Sequence, residues 1–214
     1  MSSIPPPKRE RNAVETKKRL LDAAEEEFAS KGFAGARLRE VANAAGVQQA
    51  LIHHYFADKE GLYQAVLDRA IAETTLGSWN ILSRVSGFDS LLDAFVDLLL
   101  EFFSSHPHLL SIVRLDAASG SNTAVALLRD RTKPVFDAVK KIIEQLQRDQ
   151  KIRADLPPDE IVIATLSMII FPFQEARMLE ALGPAVGHSP DQLALRKKVI
   201  FAFVSQGVGL ATKG

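Results

Sequence analysis

Cysteine is absent from all 214 residues. That one absence excludes disulfide frameworks, thiolate redox centres, cysteine nucleophiles and zinc sites built on thiolates. Strand signals are also missing: no alternating Val/Ile/Thr run is bounded by an Asn-Gly or Asp-Gly turn. Apolar runs of membrane-spanning length are lacking too. Leu91–Phe103 is broken by Asp93, Asp97 and Glu101, and Ile161–Phe173 is cut short by Pro172, both below the roughly 20 residues a bilayer needs. They read as core helices, so no membrane partner is expected. Lys8, Arg9 and Arg11 are followed by no apolar stretch, which argues against a signal peptide and for a cytoplasmic protein. Net charge is lacking as well, with 26 basic and 26 acidic side chains. That balance hides an asymmetry: residues 1–20 hold six basic side chains against two acidic ones. Phosphate recognition needs a local basic face rather than a basic protein, although a solvated tail with incidental charge fits the same count.

Apolar residues, 47% of the chain, recur at three- and four-residue spacing throughout, which predicts an all-α protein. The length suits one small module and one larger one. Pro5, Pro6 and Pro7 cannot join a helix interior, so residues 1–11 are expected to be a disordered basic arm. Helix 1 should begin near Asn12 to Thr16, bury Leu20, Leu21, Ala24 and Phe28, and stop at Gly32. A second helix, about Leu38–Ala45, buries Leu38, Val41, Ala42 and Ala45 and stops at Gly46; a third runs about Gln48–Phe56. Asp58 caps a fourth that reaches about Thr75, with Leu62, Ala65, Val66 and Ala70 inward. Beyond breaks at Gly77 and Gly87, helices are expected over about Asp89–Ser104, His108–Ala118, Asn122–Gln150, Pro158–Leu182 and Pro190–Ala211.

The second and third helices carry the functional signal. A helix-turn-helix needs a small residue where its helices cross, a glycine in the turn and an aliphatic anchor in the second helix; Ala42, Gly46 and Ile52 stand at those offsets. The run His53-His54-Tyr55-Phe56-Ala57-Asp58-Lys59-Glu60-Gly61-Leu62-Tyr63 follows, and Leu21-Asp-Ala-Ala-Glu-Glu-Glu-Phe28 with Gly32-Phe33 precedes. Across about Thr16 to Val66 the chain resembles the tetracycline-repressor (TetR) family. The resemblance implies an N-terminal three-helix helix-turn-helix DNA-binding domain (12–57) and a larger C-terminal helical ligand-binding and dimerisation domain (58–214). It implies a repressor that binds a double-stranded DNA operator as a dimer and is released by an unknown small-molecule effector. No enzyme activity, cofactor or metal is expected, and the adjacent His53 and His54 diverge by about 100° on a helix.

Within that frame each candidate contact has a chemical role. Gln48 and Gln49 can pair with adenine in the major groove and Ala50 can touch a thymine methyl. His53 and Tyr55 are expected at phosphates on the groove's rim, and Lys59 at a helix N-terminus as a phosphate clamp. Arg37 and Arg39 can reach the backbone or an adjacent guanine; Thr16 and Lys17 are further phosphate contacts. Gln48, His53 and Ala36-Arg37 depart from the family's usual residues, so the operator sequence does not follow.

In the C-terminal half the sequence offers apolar helices with sparse polar interruptions. Trp79, Phe102, Phe103, Phe136, Met168, Phe171 and Gln174 are candidate pocket residues, and each is equally an ordinary core side chain. Arg114, if it lines the pocket, selects an anionic ligand; if not, it pairs with Asp116 or another neighbour. The last two helices should form half of a four-helix dimer interface, with Val199, Ala202, Phe203, Gln206 and Leu210 as its stripe and Ser205, Gly207 and Gly209 allowing close approach. Such a dimer places two recognition helices about 34–36 Å or more apart, on a pseudo-palindrome. The rival readings are an all-α enzyme with the same pocket and a helical interaction module without DNA binding. Against the enzyme, there is no phosphate-cradling glycine loop, Ser-His-Asp spacing or His-Glu-x-x-His, and His106-Pro-His108 is too little for a site.

Overall fold

A computed structural model describes residues 8–183 and 187–209, which form ten α-helices and no strand. Pro5–Pro7 and Leu210 lie outside the described residues. The first helix, α1 (Lys8–Gly35), starts before Asn12 and includes residues 8–11, where the sequence predicts a disordered arm. Its helical geometry breaks at Gly32 (φ 67°), the expected stop. α2 (Leu38–Ala44) and α3 (Ala50–Phe56) follow. Gln48 and Gln49 therefore precede the recognition helix, their carbonyls accepting from Leu51 and Ile52 N–H in its opening turn.

α4 (Lys59–Leu82) is longer than expected because it continues straight through Gly77. That glycine serves close approach rather than a break: a Cβ there would stand 2.7 Å from Leu98 Cδ1 of α5 (Phe88–Ser105). α6 (Leu109–Ala118) and α7 (Thr123–Arg148, with Pro134 inside) follow the expected bounds closely. The single helix expected over Pro158–Leu182 is two, α8 (Pro158–Gln174) and α9 (Ala176–Leu182), bent by 81°. Pro172 lacks the N–H that would bond one turn back, which weakens α8 where it ends. α10 (Pro190–Val208) opens with a capping box, Ser189 and Gln192 satisfying each other's backbone N–H.

The helices sort into two compact units that do not follow a single cut near residue 57. Among the described residues, one unit takes those up to Ala70 together with His108–Leu128; the other takes Ile71–Pro107 and those from Arg129 onward. In the first, α1, α2, α3, the opening half of α4 and α6 close on Leu20, Phe28, Ile52, Leu62, Leu67 and Ile112, all nearly inaccessible. Leu38 and Ala65, expected inside, are half-buried. Arg69 on α4 reaches α1, bonding Asp22 at 2.6 Å and Glu25 at 2.7 Å. The second unit is built on α5, which packs against α8 and α10, with Val96, Ile169 and Ile200 at its centre.

The first unit also buries one acid, Asp116. One carboxylate oxygen accepts the Tyr63 hydroxyl at 3.3 Å and the other accepts the Ala124 N–H of α7 at 2.8 Å. Phe28 and Phe33 meet the Tyr63 ring edge-on at 4.9 and 5.0 Å. Burial first, then the Asp116 charge and hydrogen bond, push the Tyr63 phenol well above its ordinary value. A phenol whose folded-state pKa is raised stabilises the fold fully below its unfolded pKa of about 10, and that stability is lost as pH rises further. Urea midpoints should therefore fall between about pH 9 and about pH 11. Tyr63→Phe should show a shallower fall; an identical slope in the variant would refute the assignment.

Candidate nucleic-acid interface

α2 ends in a left-handed glycine turn. Gly46 has φ 65°, its N–H bonds the Asn43 carbonyl and the Val47 N–H bonds the Ala42 carbonyl, both at 3.0 Å. This is the paired closure that satisfies a helix's last carbonyls and sets the exit direction of the chain. Ile52 and Phe56 then anchor α3 in the core, so the opposite face of α3 is turned out. Ala50, His53 and His54 of α3 are exposed, as are Gln48 and Gln49 just before it, with Tyr55 half-buried. Arg37, Arg39 and Lys17 are exposed on the same unit, and Thr16 is half-buried.

Two of the expected phosphate contacts have other employment. The Lys59 ammonium donates to the Ala34 carbonyl at 3.2 Å and lies 5.0 Å from the Phe33 ring centroid, and burial lowers its pKa. It ties the start of α4 to the end of α1. His53 Nδ1 lies 2.9 Å from the Ala57 carbonyl, so the ring donates there, and in the neutral form its outward nitrogen accepts rather than donates. Ala57 itself sits at φ 66°, ψ −59°, with Asp58 N–H closing on the Phe56 carbonyl at 2.8 Å, a strained γ-turn. Asp58 caps α4 as expected, its Oδ1 accepting the Gly61 N–H at 2.8 Å.

Arg19 was not singled out from the sequence. Its Nη1 stands 3.8 Å from where a Gly46 Cβ would be, so the guanidinium leans over the helix-turn-helix turn from α1. One helical turn beyond Thr16, it was available from spacing alone. His54, exposed and edge-on to Tyr55 at 4.9 Å, was also passed over.

The residues named for a pocket in the C-terminal half differ in burial. Phe102 and Phe103 are buried and touch at 5.1 Å. Phe136 and Met168 are half-buried, while Trp79, Phe171 and Gln174 are exposed. Arg114 belongs to the other compact unit and is exposed; Asp116, expected as its partner, bonds Tyr63 and Ala124 instead. A cleft of about 460 Å³ runs between α5 and α10 beside Asp97, Glu101 and Lys197, and a second of about 210 Å³ lies beside Phe88, Ile152 and Val208. None of the eight residues lines either. Lys197 is held by Asp93 at 2.9 Å and Asp97 at 2.6 Å. On the outside of α10, Leu195, Val199, Ala202, Phe203 and Gln206 are exposed, and Phe203 is 69% accessible. Ser205, by contrast, turns inward to bond Asp89 at 2.7 Å.

Residues 20–66 match the family described as bacterial regulatory proteins, tetR family. Residues 89–204 match the tetracyclin repressor-like C-terminal domain. The HTH-type transcriptional repressor SCO4008 of Streptomyces coelicolor is 30% identical over 103 residues, 48% of this chain and 50% of that protein. The HTH-type transcriptional regulator RutR of Escherichia coli K12 is 27% identical over 155 residues, 72% of each. Among solved structures, the ketosteroid transcriptional regulator KstR2 of Mycobacterium tuberculosis superposes with TM-score 0.73 at 19% identity, over 91% of this chain and 95% of that one. FadR of Bacillus subtilis, solved in complex with stearoyl-CoA, gives 0.69 at 15% identity, over 89% and 98%. At such identities the superpositions bear on the fold alone.

Proposed function

The chain belongs to the TetR family of DNA-binding transcriptional regulators, and from that we propose that it is a cytoplasmic repressor, released from a pseudo-palindromic operator by a small-molecule effector. The observation that carries the DNA-reading part is the row Gln48, Gln49, Ala50 and His53, exposed above the buried Ile52 and Phe56 and flanked by the exposed Lys17, Arg37 and Arg39. The glutamine amides suit base edges, and the cations suit the phosphates on either side. Thr16 and Tyr55 complete the rim, and Arg19 joins it on its position over the turn. Dimerisation through α8 and α10 accords with the apolar stripe left open on α10. A ligand that favours one pose of α4 over another would change the half-site separation and so release DNA.

The test is binding of the full-length protein to DNA flanking its own gene, by fluorescence anisotropy across a salt series. Gln48→Ala/Gln49→Ala is expected to cost about 1–3 kcal/mol for each base pair no longer read and to flatten the preference over competitor DNA. Lys17→Ala should weaken all sequences alike and reduce the salt slope by about 1. Lys59→Ala should leave that slope intact and lower thermal stability instead, since its ammonium holds Ala34 and Phe33. Sequence-independent binding by the wild type, or none at low salt, would sink the proposal.

A further inference from the structure

Where α8 ends and α10 begins, a half-buried arginine has one buried, unpaired nitrogen and no counter-charge. The Arg196 guanidinium lies 5.4 Å from the Phe173 ring centroid. Its Nη2 donates to the Gly187 carbonyl at 3.4 Å, and its buried Nη1 has no hydrogen-bond partner. His188 stacks on Phe173, the rings 4.6 Å apart and 6° from parallel. Phe173 continues into Phe103 at 5.7 Å and, through it, Phe102 at 5.1 Å. Among the described residues no carboxylate forms an ion pair with Arg196. At the neighbouring His188, burial and the Arg196 charge lower the pKa, and the charge of Glu180 on α9 opposes them.

An unsatisfied, buried guanidinium N–H costs the full desolvation of that group, and arginine does not relieve it by losing a proton. It is relieved by gaining an acceptor. A planar fork with an unpaired donor matches a carboxylate, and the row of rings beside it favours an apolar body on the same molecule. We infer that Arg196, with His188 beside it, is the recognition point for the carboxylate of an apolar organic acid, and that such an acid is the effector. This rests on the regulator reading above, and it moves the anion-selecting role from Arg114, which is exposed, to Arg196.

The probes are octanoate, laurate and benzoate, each paired with its neutral alcohol, and inorganic phosphate, measured by thermal shift and calorimetry on the full-length protein. Carboxylates with an apolar body are expected to bind and stabilise the wild type, the alcohols and phosphate not. Arg196→Gln is expected to weaken that binding at least about tenfold, with circular dichroism and molar mass in solution unchanged. Should Arg196→Gln lose its fold, Arg196→Lys, which keeps the charge without the planar fork, is expected to bind several-fold more weakly than the wild type. No carboxylate-specific binding, or equal binding by the variants, overturns the inference. So does a variant that binds the acids normally but dissociates to monomers, since the carboxylate would then come from a second copy of the chain. Anisotropy on operator DNA separates the two readings. Operator binding by a protein indifferent to carboxylates defeats only this inference, whereas acid binding without operator binding defeats the regulator reading and the effector role with it, leaving the carboxylate site at Arg196.

Discussion

Gly46→Val should abolish measurable operator binding while lowering the stability of the protein by only about 2–3 kcal/mol. Gly46 holds φ 65°, a conformation that costs an ordinary L-residue about 1–2 kcal/mol and a β-branched one more. Space is not the difficulty, since the nearest atom to an added Cβ is the mobile Arg19 Nη1 at 3.8 Å. The penalty is conformational, and the chain can relieve it by rotating out of the left-handed turn. Doing so breaks the bonds from Gly46 and Val47 to Asn43 and Ala42 and re-aims α3 relative to α2. A displacement of about 1 Å at the base-reading end is enough to break interactions that need hydrogen-bond geometry. Gly120→Ala supplies the control. Gly120 has φ 75° and nothing within 4 Å of an added Cβ, and it lies between α6 and α7, outside α2 and α3. It should cost a similar dihedral penalty, read as a lower urea midpoint, with operator affinity retained. If both variants bind more weakly in proportion to their stability, Gly46 matters only for folding.

The same residues show what a sequence can reveal unaided. Gly46 and Asp58 were legible because their roles are local: a left-handed turn needs glycine, and a cap needs an acceptor three residues before the N–H it takes. The buried stripe of α1 was legible for the same reason, through its period. The surroundings of Lys59 were not legible because the Ala34 carbonyl it bonds is 25 residues away in the chain, and nothing local says that a lysine at a helix start turns toward it. Gly77 was misread as a break because its purpose is the approach of Leu98. The pocket was the least legible feature. Aromatic and polar residues on apolar helices suit core and cavity equally, so composition cannot choose between them. Asp116 went to Tyr63 and the start of α7 rather than to Arg114, two residues away but on a different face of α6. Arg196 went unnoticed for the converse reason. On sequence it is one basic residue in a run of three, and only folding brings it over Phe173.

Phe203→Glu should convert the protein to a monomer and weaken operator binding by about 100-fold or more. Phe203 is 69% accessible and Leu195 63%, with Val199 between them on the same stripe of α10, and Ile163 is exposed on α8. An isolated domain gains nothing by holding large apolar side chains in water along two helices, and a patch of that kind marks an association surface. A two-fold axis through it pairs each residue with its own counterpart region, so one substitution places two carboxylates in one interface. The folded protomer should survive, because an exposed side chain contributes little to the core. Circular dichroism and the thermal midpoint extrapolated to low concentration should stay near wild type, while light scattering reports half the molar mass. DNA affinity then falls because each half-site must be bound independently, without the high effective concentration that the second reading head enjoys. The salt slope should drop with it, as each protein molecule then neutralises half as many phosphates. A dimer that persists through Phe203→Glu would put the association surface elsewhere, and an operator affinity unchanged in a monomer would mean that one helix-turn-helix suffices.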